Sequence, residues 1–130
     1  MSSSILIVDD SHAMRAVLER AIRLSGLPVS ACYQAAHGGE ALALLHRHPI
    51  DFMLLDVHMP EMGAEELILR WRSQPGAAPI PFLVTSADAS APRIERLLEL
   101  GACDYLTKPF PLSVLCSRLG QALNNLHDRN

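Results

Sequence analysis

Lysine is almost missing from this chain. Of eleven basic residues ten are Arg, and the one exception is Lys108. Aromatic residues make up only 5%, and there are three cysteines, Cys32, Cys103 and Cys116, set far apart. An odd, scattered set argues against a disulfide framework and for a reducing, cytoplasmic setting. The longest apolar runs are four to six residues, as at 5–8, so insertion into a membrane is not expected. Met1-Ser2-Ser3-Ser4 offers no basic region ahead of a long apolar one, so no signal peptide is expected. Net charge is −3 with no basic run, which argues against direct nucleic-acid contact. What is present is apolar: 49% hydrophobic against 19% charged residues excludes a disordered chain. A length of 130 residues is one domain's worth. At that size roughly 70% of the unfolded surface can be buried.

Short apolar runs alternate with helical patterns five times. The runs are residues 5–8, 29–35, 52–55, 80–85 and 105–107. They are rich in Ile, Val, Leu and aromatics, as strands buried on both faces should be. Met14, Val17, Leu18, Ala21 and Ile22 repeat at helical spacing, with Ser11 placed to cap the start and Gly26 to stop the end. A second helix follows Gly38-Gly39, runs through Leu42 and Leu45, and ends near Pro49. Leu67, Ile68 and Trp71 mark a third, closed by the turn-forming residues 74–79. Pro92 suits the first turn of a fourth, carrying Ile94, Leu97 and Leu98, with Gly101 past its end. Leu112, Leu115, Leu119, Ala122 and Leu126 stripe a fifth. Gly120 inside it costs about 1 kcal/mol against Ala, and nothing in the sequence explains it.

Five βα units predict an α/β fold with parallel strands and right-handed crossovers. They are too few for a closed eight-stranded barrel, which takes about 250 residues, so the sheet should be open and doubly wound. Ligands in such sheets bind beyond the carboxyl ends of the strands. There stand Asp9-Asp10 after the first strand, Asp56 after the third, Thr85-Ser86 after the fourth and Thr107-Lys108-Pro109 after the fifth. The end of the second, Ala36-His37-Gly38, offers little chemistry. Carboxylates drawn together repel and raise one another's pKa unless a cation joins them. Hard oxygen ligands in this number suit Mg²⁺. A divalent ion plus an ammonium is what an incoming phosphoryl group needs, and a carboxylate can be its nucleophile.

Asp9-Asp10-Ser11, Asp56 with Met59-Pro60, Thr85-Ser86-Ala87 and the run 105–110 together resemble the receiver domain of two-component response regulators. The resemblance covers residues 5 to about 126, the core of a single domain, and the residues after it leave no room for an output domain within this stretch. It implies a flavodoxin-like (βα)5 sheet of strand order 2-1-3-4-5. It implies Asp56 as phosphoacceptor, and Mg²⁺ on Asp10, Asp56 and the backbone carbonyl of His58, with Asp9 supporting. Lys108 would pair with the phosphoryl group, and with Asp56 when that is empty. Ser86, 22 positions before Lys108, would be the switch hydroxyl, and Tyr105 the aromatic that moves inward with it. The implied partners are a sensor histidine kinase or phosphotransfer domain as donor and a downstream protein target, reached through the helix 4–strand 5–helix 5 face, with the chain a monomer or weak dimer. Such a domain catalyses only its own phosphorylation and slow hydrolysis; it is a signalling switch and not a conventional enzyme.

Two features depart from that pattern. Gly63-Ala64 stands where the family usually has Asp-Gly, a turn that Gly63 can still make. Pro111 removes a common cap from the last helix. Two other function classes compete. A Mg²⁺-dependent phosphatase working through an aspartyl phosphate would carry Asp-x-Asp after the first strand, and Asp9-Asp10 are adjacent. A degenerate receiver acting as a binding scaffold would lack an Asp or the Lys, and none is lacking. His58 and Asp88, two past the acceptor and two past the switch hydroxyl, should flank the water that hydrolyses the phosphoryl group; a charged His58 pairing with Asp88 would slow that step as pH falls. Among the rest, Tyr105 has core packing as its structural alternative. His37 is expected on the surface, His46 and His48 at the end of their helix, and Cys103 and Cys116 as small apolar fillers.

Overall fold

The computed structural model describes residues 2–88 and 91–128. Five strands alternate with five helices: β1 Ser3–Val8, α1 His12–Leu24, β2 Val29–Ala35, α2 Gly38–Arg47, β3 Phe52–Asp56, α3 Ala64–Arg72, β4 Phe82–Ser86, α4 Ala91–Glu99, β5 Asp104–Thr107 and α5 Leu112–Asp128. All paired strands are parallel, in the order β2-β1-β3-β4-β5. The central strands bury both faces, which is why their sequences do not alternate. Leu6, Val8, Met53, Leu55, Phe82 and Val84 form one core with Leu45 of α2, Leu67 and Ile68 of α3 and Leu97 of α4. Ile5, Ile7, Phe52, Leu54 and Leu83 form the other with Leu18 and Ile22 of α1 and Leu115, Leu119 and Leu123 of α5.

Strand ends fall where backbone chemistry sets them. β4 begins at Phe82, not at residue 80, because Pro79 and Pro81 have no N–H to give a ladder. Pro81 still accepts a hydrogen bond from Met53 through its carbonyl, at 3.0 Å. At the other end β3 reaches Asp56 and β4 reaches Ser86, one residue further than the apolar runs, and Asp56 lies in register with Thr85.

The helix termini also refine the expectations. Ser11 caps α1 by accepting from the Met14 N–H at 3.1 Å, and Gly26 takes a left-handed φ of 80° after its end. His37 is no idle surface residue. It caps α2, its Nδ1 accepting from the Glu40 N–H at 3.3 Å, while the Glu40 carboxylate accepts from the Ala36 N–H at 2.6 Å. The pair is a variant of the capping box, with histidine in the usual hydroxyl's place and the glutamate reaching one residue past the N-cap, to Ala36. His48 ends α2 and stacks on Tyr33 with centroids 4.3 Å apart; His46 meets the edge of Trp71 at 5.5 Å. Trp71 in turn donates from its indole N–H to the Ala78 carbonyl at 2.9 Å, tying α3 to the loop that follows. In the β3–α3 turn the left-handed residue is Glu61, φ 68°, and Gly63 adopts an ordinary extended φ of −77°, so the latitude of that glycine is not what makes the turn. Gly120 has a packing reason: a Cβ there would meet Leu27 Cδ2 at 3.0 Å. Cys103 is exposed at the approach to β5, not a filler.

Candidate functional site

The parallel order brings the ends of β1, β3, β4 and β5 to one rim. Asp9 follows β1 and is 2% exposed. Its Oδ1 accepts from the Ser11 N–H at 2.9 Å, and its Oδ2 lies 2.8 Å from Lys108 Nζ. Asp10 is exposed beside it, and Asp56 is buried at the end of β3. Carboxylate oxygens of Asp9, Asp10 and Asp56 all lie within 4.8 Å of one another. Asp56 Oδ1 accepts from the His58 N–H at 3.3 Å, and Asp56 Oδ2 is 3.5 Å from Lys108 Nζ. Lys108 is placed by its own N–H, which donates to the Ser86 carbonyl at 2.7 Å just past the β4–β5 register, and a cis peptide bond leads on to Pro109.

Electrostatics follow from this crowding. Burial pushes the Asp56 carboxyl above the usual range; the Lys108 ammonium and the His58 N–H pull it back, and the charges of Asp9 and Asp10 add to the rise. For Lys108 burial disfavours the ammonium, yet the hydrogen bond to Asp9 and the charges of Asp56 and Asp9 outweigh it, and the pKa is raised. Three hard oxygen donors on one rim, one of them raised in pKa first by burial and then by the charges of the other two, fit a divalent cation.

Ser86 is 1% exposed. Its hydroxyl donates to the Asp88 carbonyl at 2.7 Å and accepts from the Asp88 N–H at 3.1 Å, so both bonds go to the backbone of Asp88. Tyr105 is 43% exposed on β5, so core packing is not its role. The ring of His58 meets a residue the sequence did not point to. Arg93 Nη1 lies 2.9 Å from His58 Nδ1, and both residues line a cavity of about 550 Å³ together with Asp10.

Arg15 was missed as well. From α1 its Nη1 donates to the Asp9 carbonyl at 2.7 Å, and its Nε donates to Gln34 on β2 at 3.2 Å. It fixes the loop that carries both acidic residues. The one available signal was its place in the first turn after Asp9-Asp10, which does not by itself distinguish it from a solvated arginine.

Comparison with known sequences settles the family. A model described as the response regulator receiver domain matches residues 5–120. The chain belongs to that family. The receiver is 38% identical to the response regulator MprA of Mycobacterium ulcerans (strain Agy99) over 120 residues, 92% of this chain and 49% of that protein. It is 36% identical to the transcriptional regulatory protein PrrA of Mycobacterium tuberculosis, over 91% of this chain and 48% of that protein. The chain thus spans about half the length of the curated relatives it matches. Among solved structures it superposes on the chemotaxis response regulator CheY4 of Vibrio cholerae with a TM-score of 0.80 and 28% identity, covering 93% of this chain and 98% of that one. The doubly wound fold expected from the strand pattern is the fold of this family. Among the described residues no helix is long and apolar enough to cross a membrane.

Proposed function

We propose that this receiver takes a phosphoryl group from a phosphohistidine donor onto Asp56. The observation that carries the reading is the placement of that carboxylate: buried at the end of β3, beside two more carboxylates and 3.5 Å from the only lysine. An Asp56 oxygen forms the bond to phosphorus as the P–N bond of the donor breaks, its electron pair returning to the donor imidazole. A raised pKa makes that oxygen a better nucleophile once ionised. The Lys108 ammonium neutralises charge on the phosphoryl oxygens as it leaves Asp9 or Asp56. Asp10, Asp56 and the His58 carbonyl would hold Mg²⁺, with Asp9 supporting. When bound, the ion supplies further neutralisation of the phosphoryl charge. Hydrolysis by water restores the carboxylate and releases phosphate, with His58 and Asp88 as modulators of the water's approach.

Ser86 and Tyr105 are the proposed switch. The Ser86 hydroxyl is satisfied by the Asp88 backbone, and Tyr105 is exposed. A phosphoryl oxygen offers that hydroxyl a stronger, charged acceptor. Moving it withdraws support from the β4–α4 loop and lets Tyr105 turn inward, a shift between two states of the α4–β5–α5 face. Leu98, Tyr105 and Leu112 already present apolar surface there for a protein target. The donor is a sensor histidine kinase or a phosphotransfer domain.

The test is labelling by a phosphorylated histidine kinase in Mg²⁺, read by intact mass. One HPO₃ should be gained by the wild type and none by Asp56→Asn. Equal gain by the variant places the acceptor elsewhere. Steady turnover of p-nitrophenyl phosphate would instead favour a phosphatase.

A further inference from the structure

The cavity beside the acidic rim has two kinds of wall. Val57, Met59 and Leu97 give it an apolar floor; Asp10, His58 and Arg93 edge it with polar groups. The two glutamates that also line it are already paired, Glu65 with Arg96 at 3.5 Å and Glu66 with Arg70 at 2.7 Å. Arg93 is different. Among the described residues its guanidinium pairs with no carboxylate, and it lies 2.9 Å from His58 Nδ1. That contact takes one of the five N–H donors of the exposed guanidinium, which leaves four for a group entering the cavity that Arg93 lines. His58 joins this cation to the acceptor: its backbone N–H touches Asp56 Oδ1 and its ring touches Arg93.

We infer that Arg93 sets the preference among small-molecule donors, favouring acyl phosphates, whose leaving group is an anion, over phosphoramidate, which loses neutral ammonia. This rests on Asp56 being the acceptor. With an acyl phosphate, an Asp56 oxygen bonds to phosphorus, the P–O bond to the acyl oxygen breaks, and its electron pair leaves with a carboxylate. A guanidinium fork matches that carboxylate in charge and shape, while the apolar floor takes the alkyl part. With phosphoramidate in its N-protonated form the P–N bond breaks and ammonia departs, neutral, with the protons it already holds. Arg93 has nothing to neutralise there.

The experiment compares initial rates of Asp56 labelling by acetyl phosphate and by phosphoramidate, at equal Mg²⁺ and pH, for wild type, Arg93→Gln and Arg93→Lys. The ratio of acetyl phosphate to phosphoramidate rate should fall about tenfold in Arg93→Gln, the effect of one charge-assisted contact in the transition state, and recover at least in part in Arg93→Lys. An unchanged ratio overturns the inference, and so does an equal change in both rates, which would mark Arg93 as a lid or a structural residue. Wild-type protein labelled by neither donor would overturn both this inference and the acceptor reading. Labelling by phosphoramidate alone would overturn this inference and leave the acceptor in place.

Discussion

Lys108 Nζ stands 2.8 Å from Asp9 Oδ2 but 3.5 Å from Asp56 Oδ2. The ammonium is held by Asp9, with Asp56, the proposed acceptor, at the outer edge of contact. A flexible four-carbon stem lets one charge serve both. The arrangement keeps Asp9 neutralised while leaving an Asp56 oxygen open to attack phosphorus, and a short movement of Nζ would bring it onto a phosphoryl oxygen.

From this follows a prediction for Lys108→Arg. The guanidinium is wide and planar, and it would fork onto Asp9 without following the phosphoryl group. Mg²⁺ binding should persist, while the phosphorylation-induced change at Tyr105 should be lost. Tyr105 NMR shifts with and without acetyl phosphate check it. A wild-type response in the variant would reduce Lys108 to a structural cation.

Asp56→Asn carries a second expectation, on stability. The Asp56 pKa is raised by burial and by its acidic neighbours, so above that pKa its charge costs folding free energy. Removing the charge should stabilise the metal-free protein at pH 7, by on the order of 1 kcal/mol. As pH falls below the ordinary carboxylate range, both folded and unfolded Asp56 become protonated and the advantage should disappear. Thermal melts of both proteins in chelator, at pH 7 and near pH 3, would show whether the gap closes.

The parts of this molecule that the sequence announced are those set by local chemistry. Ile5 to Val8 reads as a buried strand because both of its faces are buried, and Asp9, Asp56 and Lys108 stand at strand ends because the hydrophobic runs stop there. What could not be read depends on atoms far apart in the chain. Arg93 and His58 are separated by 35 positions, and no periodicity links them. The preference of Lys108 for Asp9 over Asp56 is a matter of 0.7 Å (3.5 against 2.8 Å). His37 as a helix cap was missed because imidazole is not among the usual capping groups.

Gly120 offers a test of packing against propensity. Alanine should gain about 1 kcal/mol in a helix interior, but its Cβ would press Leu27 Cδ2 at 3.0 Å. The gain from Gly120→Ala should therefore be smaller in the wild type than in a Leu27→Ala background. Urea denaturation of the four proteins of this cycle measures the coupling. Strict additivity would mean that Leu27 moves aside at no cost and that Gly120 has no packing role.

A last prediction concerns a chain of contacts running from the edge of the sheet to the acidic loop. Glu19 accepts from the Gln34 amide at 2.9 Å and pairs with Arg23 at 3.0 Å. Gln34 accepts from Arg15, and Arg15 donates to the Asp9 carbonyl. The Gln34 hydrogen bond lowers the Glu19 pKa, burial works against it, and Arg23 adds to the lowering. A lowered pKa means the folded state binds fewer protons than the unfolded one through the acidic range. The contribution of Glu19 is thus present above the ordinary carboxylate pKa and lost as pH falls through the lowered one. Glu19→Gln keeps the shape and removes the charge, so it should melt below wild type at pH 7, and the difference should vanish near pH 3. Because the same chain ends on Asp9, the amide resonances of Asp9 and Asp10 should shift in the variant at pH 7. If they do not move, Arg15 holds the acidic loop by itself, and the Glu19 end serves only to fasten α1 to β2.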